Sequence, residues 1–317
     1  MSNIVKQKRT VGARIYKSGI QFRKNWPLLM LCLPTLIGMF LFAYVPMGGV
    51  VMAFKDYRIA KGIWGSEWNG FDNFKFIFAT SDMWRIIRNT VLYSLASIVT
   101  TPIVNIAVAL LAFEIDNKRS LKMYQGVMQI PRFLSWVVVG YITYAIFNPR
   151  YGIMNQVFEM FGLEAVDVYV TPGVWPFILI FLALWKGVGG GSLWYYAVLI
   201  GIDTELYEAA KLDGANRWQQ TKYISLPHLI PLLTIKLILA FGDLFEGNFG
   251  LFYQIPRDVS VLYPTTDILE TYIYRALQSG SFARGAAVGF AQGVVGLVLT
   301  LIFNKIASKV SPGNEMF

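Results

Sequence analysis

Apolar residues fill long stretches of this chain, and shorter polar stretches separate them. A helix needs about 20 apolar residues to cross the hydrocarbon core of a bilayer. Six stretches reach that length, so the pattern predicts an all-α membrane protein with six transmembrane helices. They cover residues 27–54, 89–113, about 125–147, 174–202, 228–252 and 284–306.

Proline and glycine interrupt two of the predicted spans. In the first span, Pro46, Gly48 and Gly49 predict a kink or an early end. In the fourth span, the KGVGGGS run at residues 186–192 allows two interpretations. The glycines either permit close packing against another helix or break the span.

Basic residues predict the orientation of the spans. Residues 1–26 hold seven Lys and Arg and no acid, which places this N-terminal arm in the cytoplasm. An even number of spans, all within residues 27–310, returns the tail 311–317 to the same side. Loops 55–88 and 148–171 then lie outside, and we expect the first of them to form a small ordered cap.

Composition supports a membrane protein and excludes several functions. The chain has 317 residues, of which 55% are hydrophobic and 15% charged, whereas soluble domains carry about a quarter charged residues. The net charge of +9 reflects the bias toward cytoplasmic Lys and Arg, so we expect no nucleic-acid partner. Cys32 is the single cysteine and His228 the single histidine, so we expect neither an internal disulfide nor a bound metal.

A polar segment separates the fourth apolar stretch from the fifth. Asp203 or Thr204 is a suitable N-cap, and Glu205 and Glu208 lie in the first turns, where acids favour the helix dipole. Gly214 is placed to end this helix in the left-handed conformation.

A second short helix is predicted to begin near Asn216 and to run to Leu226, with Pro227 opening the next span. The residues alone leave two interpretations of this helix–turn–helix. It is either an amphipathic connector or a docking element for a cytoplasmic partner.

The spacing within this segment resembles the EAA motif of permease subunits in binding-protein-dependent ABC importers. The matching residues are Glu208, Ala209, Ala210, Gly214, Ile224, Leu226 and Pro227. Residues 44–47 and 54–74 resemble the carbohydrate-importing branch, in particular the polysaccharide and aldouronate permeases of Gram-positive bacteria. The resemblance extends over roughly residues 25–310.

The resemblance implies a type I importer-like fold in a bacterial plasma membrane. Residues 208–214 would form a coupling helix, within coupling helices at about 204–226, that docks into a separate ATPase. The implied partners are two ATPase subunits with their ATP and Mg, a second and different permease chain, and a lipid-anchored or periplasmic solute-binding protein. The sequence has no GxxxxGK[ST] motif, so we expect this chain to bind no nucleotide cofactor and not to hydrolyse ATP itself. One histidine and one cysteine offer neither a nucleophile with its base nor a metal cluster, so we expect a transport subunit and no enzyme.

Charged residues within predicted spans mark candidate sites along a substrate path. They are Arg132, Lys186, Lys236, Asp243 and Glu246. The first two are close enough to span ends for their charges to reach the interface. The other three, in the fifth span, form either a structural ion pair or a face that lines the path.

A carbohydrate path also needs aromatic platforms and amide groups. The nearest candidates are Trp185, Trp194, Tyr195, Asn248 and Phe249. The basic candidates are compatible with an acidic, uronate-containing oligosaccharide, whereas the two acids argue partly against it. Glycerol phosphate or an aminated sugar is an alternative solute, and an ion-coupled secondary transporter is an alternative class.

Overall fold

The computed structural model describes residues 25–310, so nearly all of the predicted arm 1–26 and the whole tail 311–317 lie outside the described residues. Within that part of the chain, five helices are long and apolar enough to cross a membrane, and a bent helix pair makes up to six. The all-α class and the number of spans therefore agree with the sequence pattern.

The first span stays helical to its end at Phe54, so the predicted early end is wrong. Its helical geometry changes where Pro46, Gly48 and Gly49 occur, because proline removes a backbone donor and glycine tolerates tighter turns. The segments are α1 (Trp26–Met39), a π-turn (Phe40–Tyr44), α2 (Val45–Met47) and a 3₁₀-helix (Gly48–Phe54).

The segment after the first span folds into the predicted small cap. Strands β1 (Lys55–Asp56) and β2 (Glu67–Trp68) pair antiparallel around α3 (Gly62–Gly65), and α4 (Asp72–Ala79) follows. The buried Lys55 ammonium donates to the carbonyl of Ile63 at 2.9 Å.

The second span is α5 (Ser81–Phe113), which begins before the predicted residue 89. Its first turns carry Asp82 and Arg85, which form an ion pair at 2.8 Å on the helix surface. Polar residues of this kind continue a helix beyond the apolar stretch, which is why hydropathy alone placed the start too late.

The third span is broken into α6 (Lys118–Phe133) and α7 (Trp136–Phe147), which meet at 94°. Leu134 and Ser135 have extended backbone, and the Ser135 hydroxyl caps α7 by accepting from the amide of Val138 at 3.2 Å. A serine N-cap lowers the cost of starting a new helix at the bend.

The fourth span is the unbroken helix α9 (Trp175–Leu199), preceded by a 3₁₀-turn at Pro172–Val174. Its glycines serve close packing, the first of the two predicted alternatives. A Cβ at Gly189 would overlap the Met128 carbonyl oxygen of α6, and one at Gly190 would overlap the Arg132 guanidinium. The α6 backbone therefore lies directly against α9.

The fifth span differs from its predicted range of 228–252 at both ends. It runs from Arg217 to Gly242 through α11 (Arg217–Gln220), a π-turn (Thr221–Ser225) and α12 (Leu226–Gly242). After Gly242 the chain turns, with the amide of Glu246 donating to the Asp243 carbonyl at 2.8 Å. Asp243 and Glu246 thus lie in a turn beyond the helix and not within it.

The remaining α-helices of residues 25–310 are the sixth span and shorter helices that lie outside the spans. Helix α16 is the sixth span and extends beyond its predicted range of 284–306 at both ends. The helices are α8 (Ile153–Met160), α10 (Thr204–Leu212), α13 (Phe249–Gln254), α14 (Tyr263–Thr266), α15 (Leu269–Gln278) and α16 (Phe282–Val310).

Candidate functional site

A cavity of about 570 Å³ lies between α5, α9, α12 and α13. Its volume is within the range of roughly 300–1,000 Å³ that is usual for small-molecule sites. The α5 side of the cavity is a polar stripe whose members recur every three or four residues, so they share one helix face. They are Thr90, Ser94, Ser97, Thr101 and Asn105.

This stripe was not predicted, because the candidates were selected as charged residues within spans and as the aromatic and amide residues near them. The signal was present as hydroxyl and amide residues at helical spacing in an otherwise apolar stretch. Such groups donate and accept hydrogen bonds without the cost of burying a charge.

The structure brings five of the ten predicted path residues to the cavity. The turn after α12 supplies three of them, because it carries its side chains into the space that a continued helix would have closed. The five are Tyr195, Lys236, Asp243, Glu246 and Asn248.

The predicted ion pair within the fifth span does not form, since no ion pair of residues 25–310 joins Lys236 to Asp243. The Lys236 ammonium lies 5.4 Å from the ring centroid of Trp194 instead. A cation over an indole face is stabilised by the ring quadrupole. Trp194 therefore supports Lys236 from outside the cavity lining.

Four further predicted path residues have structural roles away from the cavity. Lys186 donates from Nζ to the Arg132 carbonyl at 2.9 Å and lies 5.1 Å from the Trp136 ring centroid, so it satisfies a carbonyl at the end of α6. Trp185 packs against the buried core around Trp175 and Leu179.

Phe249 stacks on Tyr253, with ring centroids 5.0 Å apart. Arg132 is held against Gly190, as described above. These four residues were predicted because they are charged or aromatic within an apolar stretch, which also describes residues that pack helices together.

Glu270 of α15 holds the turn that brings acids to the cavity. Its Oε1 accepts from the amide of Gly247 at 2.5 Å and from Nε2 of Gln292 at 2.9 Å. Its Oε2 is buried without a hydrogen-bond partner, and a Cβ at Gly247 would meet that oxygen at 2.6 Å. Burial raises the pKa of the Glu270 carboxyl. The carboxyl thus clamps the turn between Glu246 and Asn248 and favours the protonated form.

We expect Glu270→Gln to preserve the clamp and Glu270→Ala to lose it, at a cost of about 1–3 kcal/mol for the unpaired buried donors. Because the pKa of Glu270 is higher in the folded protein than its ordinary value of 4.5, the neutral carboxyl stabilises the fold at low pH. That contribution to the free energy of unfolding is lost as the pH rises from 4.5 through the pKa of the folded protein. The melting temperature of Glu270→Gln should therefore exceed that of the wild type by a margin that grows with pH. A difference in melting temperature that stays the same between pH 4 and 8 would contradict a raised pKa of Glu270.

The polar segment 203–227 folds as a helix–turn–helix, but its second helix is not the separate short helix that was predicted, because it continues without a break into the fifth span. Asp203 caps α10 by accepting from the amide of Glu205 at 3.0 Å. Gly214 has φ +79°, and the amide of Ala215 donates back to the Ala210 carbonyl at 2.9 Å, which closes the helix in a left-handed cap. Asn216 opens the second helix in a reciprocal capping box with Gln219.

Polar contacts join α10 to the fifth span and the fifth span to the second. The Tyr207 hydroxyl and the Ser225 hydroxyl are 2.9 Å apart, which joins α10 to the start of the fifth span. Arg217 pairs with Glu114, at the end of α5, at 2.6 Å. Helix α10 is therefore joined to the start of the fifth span, and that start is joined to the end of the second span.

The same segment exposes apolar side chains away from the bundle. Leu212 is 90% exposed and Trp218 is 69% exposed. Large apolar side chains at the tips of a rigid, well-capped turn are typical of a docking surface. Of the motif residues, Ile224 and Leu226 pack inward on a core cluster with Leu229, while Glu208 and Ala209 face outward.

Comparison with known proteins identifies the family. Residues 105–312 match the family described as binding-protein-dependent transport system inner membrane component. The chain is 34% identical over 89% of its length, and 88% of the relative, to the polygalacturonan/rhamnogalacturonan transport system permease protein YteP of Bacillus subtilis. It is 26% identical over 82% of its length, and 79% of the relative, to the diacetylchitobiose uptake system permease protein DasB of Streptomyces coelicolor.

A solved structure has the same fold. A chain of a bacterial ABC transporter involved in the import of the acidic polysaccharide alginate superposes with a TM-score of 0.83 at 31% identity, covering 94% of this chain and 99% of that one. A broken third span, a helix–turn–helix between the fourth and fifth spans and a polar cavity among them thus occur on a fold shared along nearly the whole length. The chain belongs to the binding-protein-dependent inner membrane components and is a membrane permease of an ABC importer.

Proposed function

We propose that this permease carries oligosaccharides derived from an acidic polysaccharide, by alternating access, as one half of a two-permease pathway. The single observation that carries this proposal is the 570 Å³ cavity with its polar stripe on α5. Hydroxyl and amide groups along one helix face can exchange hydrogen bonds with successive sugar hydroxyls.

The substrate class follows from two kinds of support. The relatives and solved structures described above include transporters named for polygalacturonan and for alginate, which are both acidic. Within the cavity, Lys236 offers a cation, while Asp243 and Glu246 suit sugar hydroxyls as acceptors. Arg132 and Lys186 no longer support an acidic substrate, because neither lines the cavity.

The energy source is proposed to be a pair of separate ATPase subunits that hold ATP and Mg. Helix α10 and Gly214 would dock into them, and the contacts at Ser225 and Glu114 would transmit their closure to the spans. A rigid-body switch of this type needs two states and a lever, and the capped turn supplies the lever. The solute would be delivered by a solute-binding protein, since a related transporter was solved with a periplasmic one.

The test begins with a mild-detergent pull-down of this chain from its native membrane, followed by mass spectrometry. Co-purification of a second permease and an ATPase is expected. The complex is then placed in liposomes with its binding protein, and ATP-driven uptake of trigalacturonate, a neutral trisaccharide and glycerol 3-phosphate is compared. Preferred uptake of glycerol 3-phosphate would support the alternative solute, since one relative is named as an sn-glycerol-3-phosphate permease.

We expect Ser97→Phe to block uptake and Val99→Phe to leave it unchanged. Ser97 lines the cavity, so a phenyl ring there would occupy the space that the solute needs. Val99 lies on the same helix with 58% exposure and does not line the cavity, which makes it a matched control. Uptake that survives in both variants, at equal protein levels, would show that the solute takes another route.

A further inference from the structure

A second and smaller cavity, of about 190 Å³, lies where α7 crosses α13. The two helices touch closely there, because a Cβ at Gly140 would meet the Gln254 carbonyl oxygen at 2.8 Å. The residues that line this cavity are aromatic, amide-bearing or charged, except for Val137 and Gly140. They are Val137, Gly140, Tyr141, Tyr253, Gln254, Arg257 and Asp258.

The backbone beneath this cavity is strained. Arg257 has φ +60° and Asp258 has φ +51°, and both are non-glycine residues in the left-handed region. Each such residue costs free energy and persists only where the surroundings hold it in place. The Tyr263 hydroxyl provides one such hold, by donating to the Asp258 carboxylate at 2.9 Å.

Of the two neighbouring charged residues, Asp258 has an ion-pair partner and Arg257 has none among residues 25–310. Asp258 is matched by Arg275, at 3.3 Å, and Arg275 also pairs with Asp267 at 2.6 Å. Arg257 makes no ion pair with any acid of residues 25–310. Its guanidinium carbon lies 4.1 Å from the ring centroid of Tyr144, so the cation rests on an aromatic face.

We propose that this cavity is a separate subsite for the carboxylate of a uronate unit, with Arg257 as the recognising cation. A guanidinium presents paired N–H donors that match a carboxylate, and one resting on a ring is already oriented. Tyr141, Tyr253 and Gln254 supply the aromatic surface and amide that a sugar ring requires. The volume is below the range of about 300–1,000 Å³ for larger ligands, which suits a single sugar unit.

The position of the subsite connects it to the larger cavity. Helix α13 lines both, with Leu251 and Phe252 on the large cavity and Tyr253 and Gln254 on the small one. The subsite therefore lies one helix face away from the proposed path, on the extracellular side according to the predicted orientation. This inference rests on the proposed function. It adds that Arg257 binds the carboxylate of the substrate before the substrate enters the larger cavity.

The test compares trigalacturonate with its fully methyl-esterified form, which lacks the charge, in the reconstituted complex. Arg257→Met should raise the KM for the acid about tenfold or more, as expected for loss of a charge-assisted pair. The KM for the ester and the Vmax for both should stay unchanged. Arg257→Lys should recover part of the loss. Arg284→Met is the matched control, because Arg284 also rests near a ring, that of Phe76 at 5.6 Å, outside the subsite.

Several outcomes would overturn the subsite. Equal KM changes for acid and ester would make Arg257 structural. Loss of the second permease from Arg257→Met complexes would make it a subunit contact, and an effect that follows the anionic lipid content of the liposomes would make it a lipid site. If wild-type complexes transport neither saccharide, the proposed function itself is wrong. If the wild type transports both and Arg257→Met has the same KM for both, only the subsite is wrong.

Discussion

Gly214→Pro should abolish ATP-driven transport while leaving the protein inserted in the membrane. Proline fixes φ near −65°, whereas Gly214 has φ +79°, and it removes the amide that donates to the Lys211 carbonyl at 3.1 Å. The incompatible geometry costs about 3 kcal/mol or more, which corresponds to a loss of roughly a hundredfold in the population of the native turn. Because the turn lies outside the spans, the bundle should fold normally.

The measurement is solute-stimulated ATP hydrolysis and uptake in the reconstituted complex, at matched levels of protein. Gly214→Asn should retain most activity, since asparagine tolerates the left-handed conformation. Gly162→Pro is the matched control for the cost of a lost cap. Gly162 has φ +70° and ends α8 with the same pair of backbone hydrogen bonds, in the loop predicted to be extracellular. Normal transport by Gly214→Pro would refute the role of this turn in coupling.

The cytoplasmic turn was predictable because its signals are local. An acid at the N-cap, a glycine where φ must be positive and an Asn–Gln capping box each act within a few residues of the chain. The structure places the predicted N-cap at Asp203, the left-handed glycine at Gly214 and the start of the second helix at Asn216, where the capping box with Gln219 was not predicted. The partner that would cover Leu212 and Trp218 is not encoded locally, so its identity stays a prediction.

The cavity was only partly predictable because it depends on where a span stops. Hydropathy continues through Gly242 into the apolar residues of α13, so the pattern predicted one span to residue 252. The stop comes from tertiary structure, since Glu270 of α15 holds the turn at Gly247 and is itself held by Gln292 of α16. A carboxyl 23 residues away in the chain cannot be inferred from periodicity.

The bend in the third span also depends on both a local signal and a tertiary contact. Ser135 as an N-cap is a local signal, but it lies inside a stretch of residues 125–147 that is apolar enough on average to be taken as one span. What stabilises the bend is Lys186 of another helix, which satisfies the carbonyl of Arg132. Lys186, which was selected as a path candidate for its charge, thus supports the backbone where the third span bends.

Gly189→Ala should destabilise the protein strongly, although it adds a single methyl group. The new Cβ would overlap the Met128 carbonyl group, which is backbone and has no rotamer with which to move aside. Overpacking in a well-packed interior costs about 1–3 kcal/mol and occasionally more, and a backbone clash belongs to the upper part of that range. The helices α6 and α9 would have to separate, which would shift the 94° bend that follows α6.

Gly187→Ala is the matched control two residues away on the same helix, because a Cβ at Gly187 meets nothing within 4 Å. Alanine in a helix is favoured over glycine by roughly 0.5–1 kcal/mol, so this variant should be as stable as the wild type or slightly more so. The measurement is the melting temperature of both variants in detergent, followed by size-exclusion chromatography. Equal melting temperatures would show that α6 and α9 are not in direct backbone contact. A lower melting temperature for Gly189→Ala alone would establish that the glycine run allows α6 to pack directly against α9. The glycines of the fourth span would then serve helix packing and not a break in the helix.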